Sequence, residues 1–173
     1  MPDMDLASFL RDVPDFPKPG ILFKDITPLL ASAEAMRHCI DRFAALEVGK
    51  VDRIVGIESR GFLFGVPLAM QLDVGFVPVR KPGKLPWKTH RIDYELEYGS
   101  DSLEMHQDAV QAGERVLIID DLLATGGTMA AACRLVEKSG GAVAACATVI
   151  ELGFLKGREK LGERRCEALI ELA

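Results

Sequence analysis

The chain has 173 residues, 49% hydrophobic and 27% charged, a composition that suits one globular domain over residues 1–173. A net charge of −5 counts against non-specific nucleic-acid binding. The four cysteines, Cys39, Cys133, Cys146 and Cys166, form no C-x-x-C pair, so they indicate neither a disulfide framework nor a zinc site and predict buried, reduced thiols. Met1-Pro2-Asp3-Met4-Asp5 is acidic and unlike a signal or transit peptide. The most apolar runs, Gly61 to Met70 and Ala142 to Ile150, reach about half of the roughly 20 residues a membrane helix needs. These features predict a soluble, cytoplasmic protein with no membrane or nucleic-acid partner.

In chain order, Leu6 to Arg11 reads as a short helical start. Val13 to Gly20 holds Pro14, Pro17 and Pro19, which forbid helix and impose an extended path. Ile21 to Ile26 reads as a short strand or loop that Thr27-Pro28 stops, with Phe23 read as core packing. Ala33 to Leu46 has an amphipathic helical period, with Met36, Ile40, Phe43 and Ala44 on one face. Val51 to Ile57 is the first buried strand. It ends in Glu58-Ser59-Arg60-Gly61, and a helix from Phe62 to Leu72 follows. Arg60, directly before a glycine and a helix start, is well placed for an anion, although a surface salt bridge is the alternative.

Val74 to Val79 is the next strand, closed by the basic loop Arg80-Lys81-Pro82-Gly83-Lys84. Its charge suits phosphate oxygens, and a solvated turn is the competing reading. Leu85 to Asp93 has no clear period and is a candidate lid. His90 has no second ligand at useful spacing, and Trp87 reads as packing for the closed loop. Tyr94 to Gly99 and Asp101 to His106 read as antiparallel segments turning at Gly99-Ser100, with Glu95 and Glu97 on one face and Leu96 and Tyr98 on the other.

Val116-Leu117-Ile118-Ile119 then reads as a buried parallel strand ending abruptly in Asp120-Asp121. A loop of small residues, Ala124-Thr125-Gly126-Gly127-Thr128, leads into a helix over Met129 to Lys138. Glycines let successive backbone N–H groups converge, and the helix start adds its own free N–H groups and positive dipole end. Thr125 and Thr128 add hydroxyls. The combination predicts a phosphate cradle with ribose hydroxyls and a hydrated metal ion on the two acids. A Walker-B-like strand end and a solvated strand terminus stay open as alternatives, while a Walker A loop is absent because no lysine precedes Thr128. Ala142 to Glu151 reads as a further strand, Leu155 to Leu161 as a short helix and Glu167 to Leu172 as a last strand. Strands alternating with helices predict βαβ units: an α/β fold with a Rossmann-like parallel sheet flanked by helices.

Asp120-Asp121-Leu122-Leu123-Ala124-Thr125-Gly126-Gly127-Thr128 resembles the phosphoribosyl-pyrophosphate (PRPP) signature of type I phosphoribosyltransferases, in the form of their adenine-specific branch. Pro19-Gly20-Ile21-Leu22-Phe23-Lys24-Asp25-Ile26-Thr27 is similar to that branch's hood motif, and Leu96-Glu97-Tyr98-Gly99 to its catalytic motif. The resemblance runs from roughly Pro14 to Gly162. It implies transfer from PRPP to adenine, giving AMP and pyrophosphate with Mg2+, and commonly a homodimer. It implies a hood over about residues 1–30 in which Phe23 stacks on the purine while backbone near Leu22 and Lys24 reads its edge; arginine is frequent where Lys24 stands. It further implies that Asp120 and Asp121 hold the ribose, that Ser59, Arg60, Arg80 and Lys84 hold pyrophosphate, and that Glu97 handles the proton at N7. The metal would be held mainly by PRPP oxygens and water. A non-proline cis peptide between Glu58 and Ser59 is implied as well. Another purine substrate, hypoxanthine or guanine, and a non-catalytic PRPP-binding regulator are the alternatives.

Overall fold

The structure, a computed structural model, describes residues 4–96 and 99–173. Its centre is a five-stranded, all-parallel sheet in the order β4-β3-β7-β8-β9. The strands are β3 (Arg53–Ile57), β4 (Gly75–Val79), β7 (Arg115–Leu123), β8 (Ala142–Leu152) and β9 (Cys166–Leu172). Ile54, Val55, Ile57 and Val116 to Ile119 are all buried, as expected of strands covered on both faces.

Helices α2 (Ala33–Ala44) and α3 (Arg60–Gln71) cover one face, where Phe43, Phe64 and Leu68 pack against Leu117 and Ile119. Helix α4 (Gly127–Lys138) covers the other, and on that face Leu103 and Met105 of β6 (Ser100–His106) pack with Val79 and Ile118. β6 pairs with β5 (Thr89–Glu95) in an antiparallel ribbon. A second small hairpin, β1 (Arg11–Pro14) with β2 (Leu22–Asp25), precedes α1 (Thr27–Leu30). This is the parallel α/β sheet expected from the alternation of elements. No helix among the described residues is long and apolar enough to cross a membrane.

Two features of the sheet place the site. The chain leaves β3 toward β4 on one side and leaves β7 toward β8 on the other, so the strand order reverses between β3 and β7. Ligands bind outside the carboxyl ends of strands at such a switch point. Register then opens the crevice: the β3–β7 ladder ends at Gly56↔Ile119, whereas the β7–β8 ladder continues to Leu123↔Glu151. β7 therefore overhangs β3 by its last residues.

Several boundaries differ from the sequence reading. Asp120 and Asp121 lie inside β7, because pairing with β8 on one side carries the strand past its apolar run. Thr27-Pro28 opens α1 rather than only stopping what precedes it, since proline is suited to a first helical turn. The stretch 85–93 splits: Thr89 to Asp93 belongs to β5, where Ile92 faces Leu103 across the ribbon and both are buried. Local period was weak there, and cross-strand pairing decided the matter. The turn accordingly starts at Leu96, whose N–H donates to Gly99 O at 2.9 Å, instead of at Gly99-Ser100. Glu97 and Tyr98 lie outside the described residues. Residues 153–161 form two 3-10 turns, Gly153–Leu155 and Gly157–Leu161, rather than a helix from Leu155. All four cysteines are free and buried, as their spacing predicted.

Candidate active site

The overhanging end of β7 forms the floor of a cavity of about 390 Å³, lined among others by Ser59, Arg60, Asp120, Asp121, Ala124, Thr125, Gly126 and Thr128. Two strand-to-helix turns meet here. In the first, β3 passes through Glu58-Ser59 into α3, and the Glu58–Ser59 peptide is cis, as the resemblance implied. Gly61 has to be glycine: a Cβ there would stand 2.7 Å from the Ile119 carbonyl oxygen and 3.2 Å from Asp120 Oδ1. That close approach carries Arg60 across β7, where its Nε donates to Asp121 Oδ2. Burial works against the Arg60 charge, but the Asp121 carboxylate raises its pKa above the ordinary value.

The two acids sit differently. Burial and the neighbouring Asp121 carboxylate push the Asp120 pKa well above the usual range. Asp120 Oδ1 also accepts the N–H of Asp121 at 2.9 Å. Asp121 has Arg60 as its ionic partner. Asp120, which holds its proton more tightly than an ordinary carboxyl, and the arginine-paired Asp121 present carboxyl oxygens suited to vicinal hydroxyls.

In the second turn, β7 passes through Ala124-Thr125-Gly126 into α4. Gly126 has φ +85°, a left-handed conformation that glycine adopts without cost. No side chain caps the helix, so its first N–H groups and dipole point into the cavity. Thr128 Oγ1 lies 3.3 Å from the hydroxyl of Tyr94 on β5. The uncapped turn of small residues and the two acids thus face the same cavity.

The cations are arranged otherwise than expected. Arg80 Nε donates to Glu58 Oε1 at 2.8 Å, and Lys84 Nζ to Glu58 Oε2 at 2.5 Å. Burial raises the Glu58 pKa, but Lys84 and Arg80 outweigh it and leave the carboxyl below its ordinary value. Both cations stand beside the cavity without lining it; Lys81 lines it instead. Lys81 Nζ is held by Asp101 Oδ2 on β6 and lies 3.4 Å from the Tyr94 hydroxyl.

The chain as a whole is similar to known enzymes. The phosphoribosyl transferase domain family matches residues 25–168. An adenine phosphoribosyltransferase from Chloroflexus aurantiacus is 58% identical over 172 residues, 99% of each chain. This chain belongs to the adenine phosphoribosyltransferase family. A crystal structure of a family member from Thermoanaerobacter pseudethanolicus superposes with a TM-score of 0.94 at 56% identity, covering 97% of this chain and 98% of that one. The Saccharomyces cerevisiae enzyme, solved with adenine and an imino-altritol bisphosphate, gives a TM-score of 0.90 at 46% identity, with 95% and 96% covered.

In this adenine phosphoribosyltransferase family member the cavity gathers Ser59, Arg60, Asp120, Asp121 and residues 124–126 and 128, whereas Leu22, Phe23 and Lys24 do not line it. They stand on β2, where Phe23 meets Phe16 edge-on at 5.1 Å and Lys24 Nζ is bound by Asp12 Oδ1 at 2.5 Å. Sequence reasoning singled out Arg80 and Lys84 and passed over Lys81, Glu58 and Tyr94. A basic loop shows its charges but not which one turns inward; only the ribbon carrying Asp101 and Tyr94 selects Lys81.

Proposed function

We propose that the chain catalyses a cytoplasmic purine-salvage step: transfer of the 5-phosphoribosyl group from PRPP to N9 of adenine, giving AMP and pyrophosphate. The carrying observation is the convergence, in one cavity, of an uncapped glycine turn, a carboxylate pair and Arg60. Breaking the anomeric C–O bond leaves an oxocarbenium-like sugar and a highly charged leaving group, so catalysis is mostly positional and electrostatic.

Backbone N–H groups of residues 124–128 would hold the 5-phosphate. Asp120 and Asp121 would fix the ribose hydroxyls. Ser59 and Arg60 would hold pyrophosphate, joined by Arg80 and Lys84 as the diphosphate draws them off Glu58. Among the described residues no group of three His, Cys, Asp or Glu is disposed to hold a metal ion alone. The hard carboxylate oxygens of Asp120 and Asp121 at the cavity fit Mg2+ carried mainly on PRPP oxygens and water above them; when bound, Mg2+ supplies charge neutralisation to the leaving group.

Adenine would stack on Phe23 and be read by backbone near Leu22 and Lys24, a role consistent with the Lys24 ammonium being occupied by Asp12. Glu97 would handle the N7 proton as the N9–C bond forms. Glu97→Gln is expected to lower turnover roughly 10²–10⁴-fold with PRPP affinity little changed; near-full activity would move that proton elsewhere. Residues 1–173 would act as one unit, and as a homodimer. The dimer reading rests on Leu63, Val66 and Met70, an exposed apolar stripe at helical spacing on α3; a monomer by sedimentation would remove it.

Turnover with PRPP across a panel of bases tests the assignment. Adenine should exceed hypoxanthine, guanine and orotate by far in kcat/KM. A comparable value for any of them would overturn the base choice, and absence of turnover with all of them the activity.

A further inference from the structure

The turn at 124–126 rests on a part of the chain that does not line the cavity. A Cβ on Gly126 would stand 2.1 Å from the carbonyl oxygen of Gly157, and one on Gly157 would stand 2.4 Å from the Ala124 carbonyl oxygen. Backbone therefore lies directly on backbone at both positions, with no side chain between them. Gly157 follows Lys156, a non-glycine residue at φ 52°, ψ 37°, so the path into this contact is a tight left-handed one.

What holds Gly157 in place is its neighbour. Arg158 Nε donates to Glu151 Oε1 at 2.8 Å and Oε2 at 2.9 Å, and its Nη2 donates to Oε2 at 2.6 Å. Its Nη1 donates to the carbonyl oxygen of Cys166 at 2.5 Å on β9. The Glu151 side chain is only 8% exposed. Glu151 is the register partner of Leu123, the residue before the turn begins. A forked, charge-assisted pair of this kind restrains orientation as well as distance.

We propose that the Glu151–Arg158 pair is a latch that presses Gly157 against residues 124–126 and so sets the phosphate turn in its ligand-binding shape. Neither residue lines the cavity, so both act as positioning residues. The inference rests on the reading of residues 124–128 as the 5-phosphate site. It predicts an uneven effect: ligands carrying a 5-phosphate depend on the latch, while pyrophosphate, assigned to the Ser59-Arg60 turn, does not.

The test uses the full chain with Mg2+ and two titrations by calorimetry, AMP and pyrophosphate. Arg158→Lys keeps the charge and removes the fork; Glu151→Gln keeps the shape and removes the charge. Either variant should weaken AMP roughly tenfold, while pyrophosphate stays within about twofold. Unchanged AMP affinity would overturn the latch. So would equal loss of both ligands with a lowered melting temperature, or failure of both variants to fold, because either result would make the pair purely structural. Gly126→Ala separates the two readings. If it binds AMP normally, the 5-phosphate assignment is wrong; if it loses AMP while both latch variants keep it, the latch alone is wrong.

Discussion

The turns at 57–61 and 123–127 join a strand to a helix at the same edge of one sheet, yet they are built in opposite ways. The first is built of charged side chains whose ion pairs are already made: Arg60 with Asp121, and Glu58 with Arg80 and Lys84 of the loop after β4. The second presents backbone and small residues, with Gly126 in a left-handed conformation and no side-chain cap on α4. The first turn can bind only by exchanging internal ion pairs for ligand, so its response should depend on salt and pH. The second holds a fixed shape, so its response should depend on sterics. Asp121 connects them, since it lies on β7 but takes its charge partner from α3.

The largest effect should come from spoiling the fixed shape. Gly126→Ala places a Cβ against the Gly157 carbonyl in a backbone conformation that disfavours side chains. A displaced phosphate turn should lower kcat/KM for PRPP on the order of 10²-fold or more. Steady-state kinetics with an intact circular dichroism spectrum would check this. Near-normal kinetics would mean that residues 124–128 do not hold the 5-phosphate and would break the contrast.

A smaller effect, opposite in sign, is expected at the charged turn. Glu58→Gln removes the internal competitor for Arg80 and Lys84, whose side chains are 34% and 48% exposed. Pyrophosphate should bind roughly two- to fivefold tighter at low salt, the range of partly exposed ion pairs, and the gain should vanish at high salt. Weaker binding would show that Glu58 shapes the turn instead of competing for it. Lys84 and Arg80 hold the Glu58 pKa below 4.5 despite burial. Its stabilising contribution is therefore present above 4.5 and lost as pH falls through the lower folded value. The variant should lack that acid-side loss.

The smallest effect concerns Asp120, which burial and Asp121 push well above 3.8. As pH rises past 3.8 the unfolded chain gives up this proton while the folded protein keeps it, so stability falls across that window until the folded pKa is reached. Asp120→Asn should remove this slope and raise the melting temperature at pH 7. PRPP affinity should drop at the same time, because the acid is retained for ribose rather than for stability. A variant that melts lower at pH 7 than the parent would show that Asp120 is a structural acid.

By itself the sequence determined what depends on short-range pattern. Apolar runs such as Val116 to Ile119 set the parallel strands, the period of 33–46 set α2, and the small residues Ala124 to Thr128 marked a strand-to-helix turn. The tertiary structure decided what depends on which chains lie side by side. β8 pairing drew Asp120 and Asp121 inside β7, and pairing with β6 turned half of the expected lid into β5. Asp101 and Tyr94 picked Lys81 from a loop of near-identical cations, and Glu58 claimed Arg80 and Lys84. Gly157 met Gly126 across 30 intervening residues that carry no local signal of the contact. A charge or a glycine shows its capacity in the sequence, but its partner is chosen by distance in space, which only the packed sheet supplies.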